Sequence, residues 1–185
     1  MGQSLSTENA PTCVLKSAKM GELKGISLTN PETGDITVNR YCKVPFAERI
    51  EGTNRFTLPK PLAKGFDYSG DYKDFGLKCP QPSVPHPQFR YSKSPSEEYI
   101  QYNNIWVPSS DNFKPEGGWP VLFYIHGGFL QYSTPNVDFF NVAEMFDDKE
   151  FTQKYILVAP GYRLNMFGFL SSKELLEEDP KNSNF

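Results

Sequence analysis

The run Val121-Leu-Phe-Tyr-Ile-His-Gly-Gly-Phe-Leu-Gln-Tyr-Ser133 carries the residues best suited to chemistry. A short apolar strand leads straight into a His126-Gly127-Gly128 turn of the kind that forms an oxyanion hole. Acyl transfer from an ester needs a nucleophile, a base held in the right tautomer, and donors aimed at the developing oxyanion. Glycine suits the last task, because a backbone without Cβ reaches turn conformations closed to other residues and lets a substrate come close. Gly127 and Gly128 are therefore the candidate oxyanion donors, with the preceding strand holding their amides rigid. No Gly-x-Ser-x-Gly nucleophile motif occurs in the 185 residues, so the chain reads as the opening part of an enzyme. As an isolated tripeptide, His-Gly-Gly favours the plainer reading of a tight turn after a strand, and the surrounding segments must decide.

Only a folded domain can position such a turn. At 185 residues and 38% hydrophobic content, the chain suits one globular domain with a substantial core. Its 15 Phe and 10 Tyr are too many for a disordered segment, while 16 Pro and 14 Gly predict many turns and long irregular connections. The net charge of −3 comes from interspersed acids and bases without a basic cluster, which argues against nucleic acid as a partner. No apolar run approaches the ~20 residues that span a bilayer, and the first residues lack the regions of a secretory signal. A soluble, cytoplasmic chain is the expectation.

Met1-Gly2-Gln3-Ser4-Leu5-Ser6 fits the M-G-x-x-x-[ST] pattern, making Gly2 a lipidation candidate. One myristoyl chain gives only weak membrane association, and a frayed polar terminus is the plain alternative. Cys13, Cys42 and Cys79 are odd in number, lack a C-x-x-C pattern, and are accompanied only by His86 and His126. No metal site is expected, and the cysteines read as reduced, structural thiols.

Residues 1–20 read as a flexible polar leader and residues 21–185 as the domain. Gly21 to Leu28 and Ile36 to Tyr41 predict a hairpin around Asn30-Pro31-Glu32-Thr33-Gly34-Asp35, a segment dense in turn formers. Lys43 to Ser96 is interrupted by proline and glycine every few residues and predicts a meandering surface layer. Asn103 to Val107 predicts a strand closed by Pro108, and Val121 to Ile125 a buried strand. Val137 to Phe146 has helical spacing and Tyr155 to Ala159 is β-rich, which together with the preceding strand makes a crossover unit. Lys173 to Glu178 predicts a short helix ended near Pro180.

Several spaced segments in one order resemble the type-B carboxylesterase and cholinesterase family, particularly its fungal members. Val44-Pro45-Phe46-Ala47, Gly52, Arg55-Phe56 and Pro59 are similar to that family's G-I-P-Y-A…G…R-F…P block, with Lys43-Val44 in place of Gly-Ile. Cys79-Pro80-Gln81 matches its C-x-Q. Ser96-Glu97-Glu98-Tyr99 followed by Asn103-Asn104-Ile105-Trp106-Val107-Pro108 resembles S-E-D-C-L-x-L-N-I-y-x-P. Gly161-Tyr162-Arg163-Leu164-Asn165-Met166-Phe167-Gly168-Phe169-Leu170 resembles N-Y-R-L-x-x-F-G-F-L.

The resemblance implies an incomplete α/β-hydrolase fold, with N-terminal antiparallel strands leading into the first crossover strands of a mixed, mostly parallel sheet. It implies a serine carboxylesterase acting through an acyl-enzyme on a small carboxylic ester, without metal or organic cofactor. The third oxyanion donor and the whole catalytic triad would lie later in sequence. His126 then shapes the oxyanion loop and is not the catalytic base. Arg55 and Glu97 would form a buried ion pair, with two solvated charges as the alternative, and Arg163 would lack its acidic partner. Tyr99 stands where secreted relatives place the disulfide partner of Cys79, and Gly161 replaces an Asn able to hydrogen-bond locally. Three readings follow: the N-terminal portion of a carboxylic ester hydrolase, inactive by itself and open to a complementing C-terminal chain; a non-catalytic interaction protein; or the non-functional remnant of a truncated gene.

Overall fold

A computed structural model of the chain describes residues 10–30, 32–50, 55–82, 99–112, 114–136 and 154–181. Strands β1 (Thr12–Ser17), β2 (Gly21–Thr29) and β3 (Ile36–Pro45) form an antiparallel meander. Asn30 organises the β2–β3 turn, its Oδ1 accepting from the amides of Glu32 at 2.7 Å and Thr33 at 3.1 Å. Gly34, at φ +75°, closes the turn by donating to the Asn30 carbonyl at 2.8 Å. This is the side-chain turn that makes Asn favourable there, and the expected hairpin forms.

The short β4 (Gly70–Asp71) lies parallel to β2. Strand β5 (Tyr102–Pro108) sits antiparallel between β3 and β7 (Ile156–Pro160), and β6 (Val121–Phe123) joins β7 in parallel. The sheet order is β1-β2-β3-β5-β7-β6, so the parallel crossover character enters with β6 and β7. The helix expected over 137–146 lies outside the described residues. Helix α1 covers Asn165–Phe169 and α2 Lys173–Glu178, the latter with the expected bounds. The Ser172 hydroxyl accepts from the Leu175 amide at 3.2 Å, satisfying one of the donors left over at the start of α2.

Burial alternates along β5, with Tyr102, Asn104, Trp106 and Pro108 inward. Trp106 packs with Ile26, Leu28, Val38, Leu157 and Ala159 on one side of the sheet. Leu23, Tyr41, Val44 and Tyr72 form a second cluster. A third, of Cys79, Ile100, Tyr102 and Leu164, anchors the two segments that reach the glycine turn.

Two expectations are corrected. Thr12–Ser17, assigned to the flexible leader, forms an edge strand in full register with β2, Lys16 opposite Glu22 with an ion pair at 3.4 Å. Its apolar run Cys13-Val14-Leu15 is only three residues long and its side chains are mainly exposed, so backbone pairing rather than burial holds it. The strand at Val121 to Ile125 is not buried: Val121 is 58%, Phe123 56% and Ile125 63% exposed. Among the described residues β6 has a neighbour on one side only, so its apolar side chains and one row of backbone groups stay open.

Such an edge is a template for pairing with another chain, and the isolated protein should self-associate. Lysines at Leu122 and Phe123 should lower the weight-average mass in light scattering. An unchanged mass would show that copies are held together elsewhere.

Candidate oxyanion loop

Strand β6 delivers the chain to Tyr124, whose amide still pairs with Val158 O at 2.8 Å. From there the backbone leaves the sheet. His126 turns inward and is 3% exposed, whereas Gly127 is exposed. Among the described residues, no group accepts a hydrogen bond from the Gly127 or Gly128 amide. Neither N–H is therefore spent on holding the turn together.

The turn is closed by Gly128 O, which accepts from Gln131 N at 2.9 Å and Tyr132 N at 3.2 Å. Gly128 adopts φ +122°, and a Cβ there would lie 1.9 Å from Tyr132 O. Glycine is required at this position on both counts. At Gly127 a Cβ would meet no atom of the described residues within 4 Å. Beyond the glycines Phe129 (φ 55°), Leu130 (φ 59°) and Ser133 (φ 101°) take left-handed conformations costly for residues with a Cβ. They persist because surrounding groups over-determine them.

Those groups come from distant segments. The Asn165 amide donates to Leu130 O at 2.7 Å, and its Nδ2 donates to Pro80 O at 2.8 Å. Gln81 pairs with both backbone groups of Ser133. Asn104, fully buried, donates through Nδ2 to Pro135 O and Asn136 Oδ1, both at 3.0 Å. Its Oδ1 accepts from Lys43 N at 3.1 Å, at the β3 bulge where Lys43 has φ 60°. Asn136 in turn donates to Gly76 O at 2.7 Å. These amides fasten the loop exit to the sheet and the irregular layer.

The His126 ring stacks on Tyr162, with centroids 4.4 Å apart and planes at 18°. The Tyr162 hydroxyl donates to the His126 carbonyl and lies 3.3 Å from Nδ1. Because that hydroxyl proton is committed to the carbonyl, Nδ1 must carry the proton shared with Gly127 O at 2.9 Å. Burial lowers the pKa of the ring, and the bond to Gly127 O opposes this. Burial likewise raises the Tyr162 hydroxyl, assisted by Tyr124.

The unfolded chain therefore takes up a proton on His126 more readily than the folded chain does. The stability due to the neutral ring is complete above about pH 6.5 and is lost as pH falls from there toward the lowered folded value. A urea midpoint that drops between about pH 7.5 and about pH 5 should drop less in His126→Gln. Equal pH slopes in both chains would exclude His126 as the cause.

The other sequence-derived positions are placed unevenly. Arg163 is half-buried, burial lowers its pKa against a weaker pull from Cys79, and Nη1 donates to Arg55 O at 2.8 Å. Among the described residues no carboxylate pairs with it. Arg55 is exposed and meets this site through its carbonyl; Glu97 and Gly2 lie outside the described residues. The Cys79 thiol accepts from Leu164 N at 3.3 Å, Tyr99 donates to Ala47 O at 3.2 Å, and no disulfide joins the three described cysteines. Gly161 approaches the segment leading into β5 so closely that a Cβ would lie 2.1 Å from Ile100 O, so Asn would not fit here without a shift of backbone.

Sequence reasoning missed the loop-holding roles of Gln81, Asn104, Asn136, Tyr162 and Asn165. Asn104 could have been flagged as an amide at an inward position of an apolar strand. Nothing local marks Asn136.

A sequence profile described as the Carboxylesterase family matches residues 12–184. An uncharacterized esterase/lipase of Schizosaccharomyces pombe is 42% identical over 181 residues, covering 94% of this chain and 32% of the relative. A carboxylic ester hydrolase of Gibberella moniliformis is 36% identical, covering 91% of this chain and 30% of its own length. Among solved structures, the juvenile hormone esterase of Manduca sexta aligns with a TM-score of 0.68 at 25% identity, covering 87% of this chain and 28% of that one. The chain spans about a third of the length of the curated relatives it matches. Its mixed sheet with few helices forms part of an α/β-hydrolase fold. With the glycine turn, the ordered motifs and the profile match in agreement, the chain belongs to the carboxylesterase family.

Proposed function

We propose that this chain forms the oxyanion-loop part of a serine carboxylic ester hydrolase. One observation carries the reading: the Gly127 and Gly128 amides follow β6 in a fixed turn, with no acceptor among the described residues. Donors held in place before reaction stabilise charge that develops on a carbonyl oxygen, at no reorganisation cost in the transition state. His126 serves as a strut under the loop, its Nδ1 proton engaged with backbone. The nucleophilic serine, its acid and its base come from polypeptide outside the 185 residues. The serine attacks the ester carbonyl, the alcohol leaves, and water hydrolyses the acyl-enzyme. In the same proposal the protein is cytoplasmic, with membrane contact limited to acylation of Gly2.

Complementation tests this. The chain is co-expressed with a second polypeptide covering the part of the Schizosaccharomyces pombe relative that it does not match. Hydrolysis of p-nitrophenyl acetate is expected from the pair and from neither polypeptide alone. A soluble, stoichiometric complex without turnover would reject the catalytic reading.

A further inference from the structure

Gln81 lies 52 positions before Ser133, yet its side-chain amide meets both backbone groups of that residue. Nε2 donates to Ser133 O at 2.9 Å, and Oε1 accepts from Ser133 N at 2.8 Å. The side chain thereby copies one rung of a strand pair. Nε2 also donates to Cys79 O at 3.0 Å, which fixes the amide to its own segment. Cys79 is 3% exposed within a buried cluster, so the clamp stands on a rigid base.

What the clamp grips is a strained point. Ser133 has φ 101°, a sparsely populated conformation for a residue with a Cβ. It directly follows the turn closed by Gly128 O on Gln131 N and Tyr132 N. A shift at Ser133 therefore displaces Tyr132, whose carbonyl occupies the space that a Gly128 Cβ would fill. Only four residues of tightly folded backbone, Phe129 to Tyr132, separate the clamp from Gly128. At the other end Tyr162 holds the His126 carbonyl, so the loop is pinned on both flanks.

We propose that Gln81 is a positioning residue for the oxyanion loop: by pairing with both backbone groups of Ser133 it sets where the Gly127 and Gly128 amides stand. The inference rests on the oxyanion reading of this loop for its catalytic consequence, and on the Gln81–Ser133 geometry alone for its structural one.

Two variants separate the roles. Gln81→Met keeps the length and removes both hydrogen bonds, while Gln81→Glu still accepts from Ser133 N but cannot donate to its carbonyl. In the full chain, exchange of the Ser133 amide and the resonances of Gly127 and Gly128 are followed by NMR, with amides of β3 and β5 as internal reference. Ser133 exchange should rise at least ~10-fold in Gln81→Met and less in Gln81→Glu, with both glycine resonances moving and the reference unchanged. In the complemented enzyme kcat should fall ~10- to 100-fold in Gln81→Met with KM within about twofold, and Gln81→Glu should recover part of it.

Unchanged Ser133 exchange overturns the proposal. So does loss of protection across β3 and β5 in both variants, which would make Gln81 a general stability residue, or an unchanged kcat despite a disturbed loop. If no complemented pair is active, the oxyanion reading has failed separately, and the exchange and glycine shifts still decide whether Gln81 positions the loop.

Discussion

Gly128→Ala should reduce kcat of the complemented enzyme by about 10²–10³-fold, the loss typical of a missing oxyanion donor. The added methyl would stand 1.9 Å from Tyr132 O, 2.9 Å from Tyr132 C and 3.1 Å from Ser133 Cβ. The two nearest are backbone atoms of a turn clamped by Gln81 and Asn165, which cannot yield as a flexible side chain would. The φ of +122° adds strain whatever the space. The loop must therefore refold locally, and the amides move away from their target.

Gly127→Ala supplies the control. Its Cβ would meet no atom of the described residues within 4 Å, and it retains the N–H, so it should stay within about threefold of the parent. The comparison is made from kcat and KM for p-nitrophenyl acetate. A Gly128→Ala enzyme as active as the parent would remove Gly128 from the site, and equal damage from both substitutions would show that the clash geometry is not what matters.

The second large effect concerns stability. Asn104→Leu should destabilise the chain by about 3 kcal/mol or more, since a buried polar group left without its partner costs ~1–3 kcal/mol. Two such groups are stranded together, the Pro135 carbonyl and Asn136 Oδ1, and the part-buried Lys43 amide loses its acceptor as well. Leucine also places an apolar side chain among those polar partners, and cooperative networks lose more than isolated bonds. The measurement is urea unfolding of both chains, with the midpoint falling at unchanged slope. An exposed pair such as Lys114 with Asp111 should, by contrast, contribute within ~0.5 kcal/mol when Asp111 becomes Ala. An Asn104→Leu chain as stable as the parent would mean that the network holds no net stability.

Both predictions concern the same design. The glycine turn is the chemically expressive part, but its shape depends on side-chain amides contributed from β5, from the 79–81 segment and from α1. A strained loop needs such support, because its own residues disfavour the conformation they hold.

Local sequence determined the elements whose cause is local. Apolar, β-rich runs marked β2, β3, β5 and β7; Asn30 and Gly34 marked the turn; Pro180 marked the end of α2. His126-Gly127-Gly128 was legible because a turn after an apolar strand calls for glycine, a demand the backbone makes at Gly128, and the ordered motifs were legible as a family resemblance. The tertiary structure alone decided the rest. Strand β1 is held by backbone pairing to β2 with its side chains mainly exposed, and a three-residue apolar run does not by itself reveal such a partner. The apolar content of β6 spoke for burial, but burial depends on neighbours, and an apolar run reads the same at a sheet edge as at its centre. The hydrogen bonds that set the loop join Gln81 to Ser133 and Asn104 to Asn136 across 52 and 32 positions, where no sequence periodicity reaches and only folding brings donor to acceptor.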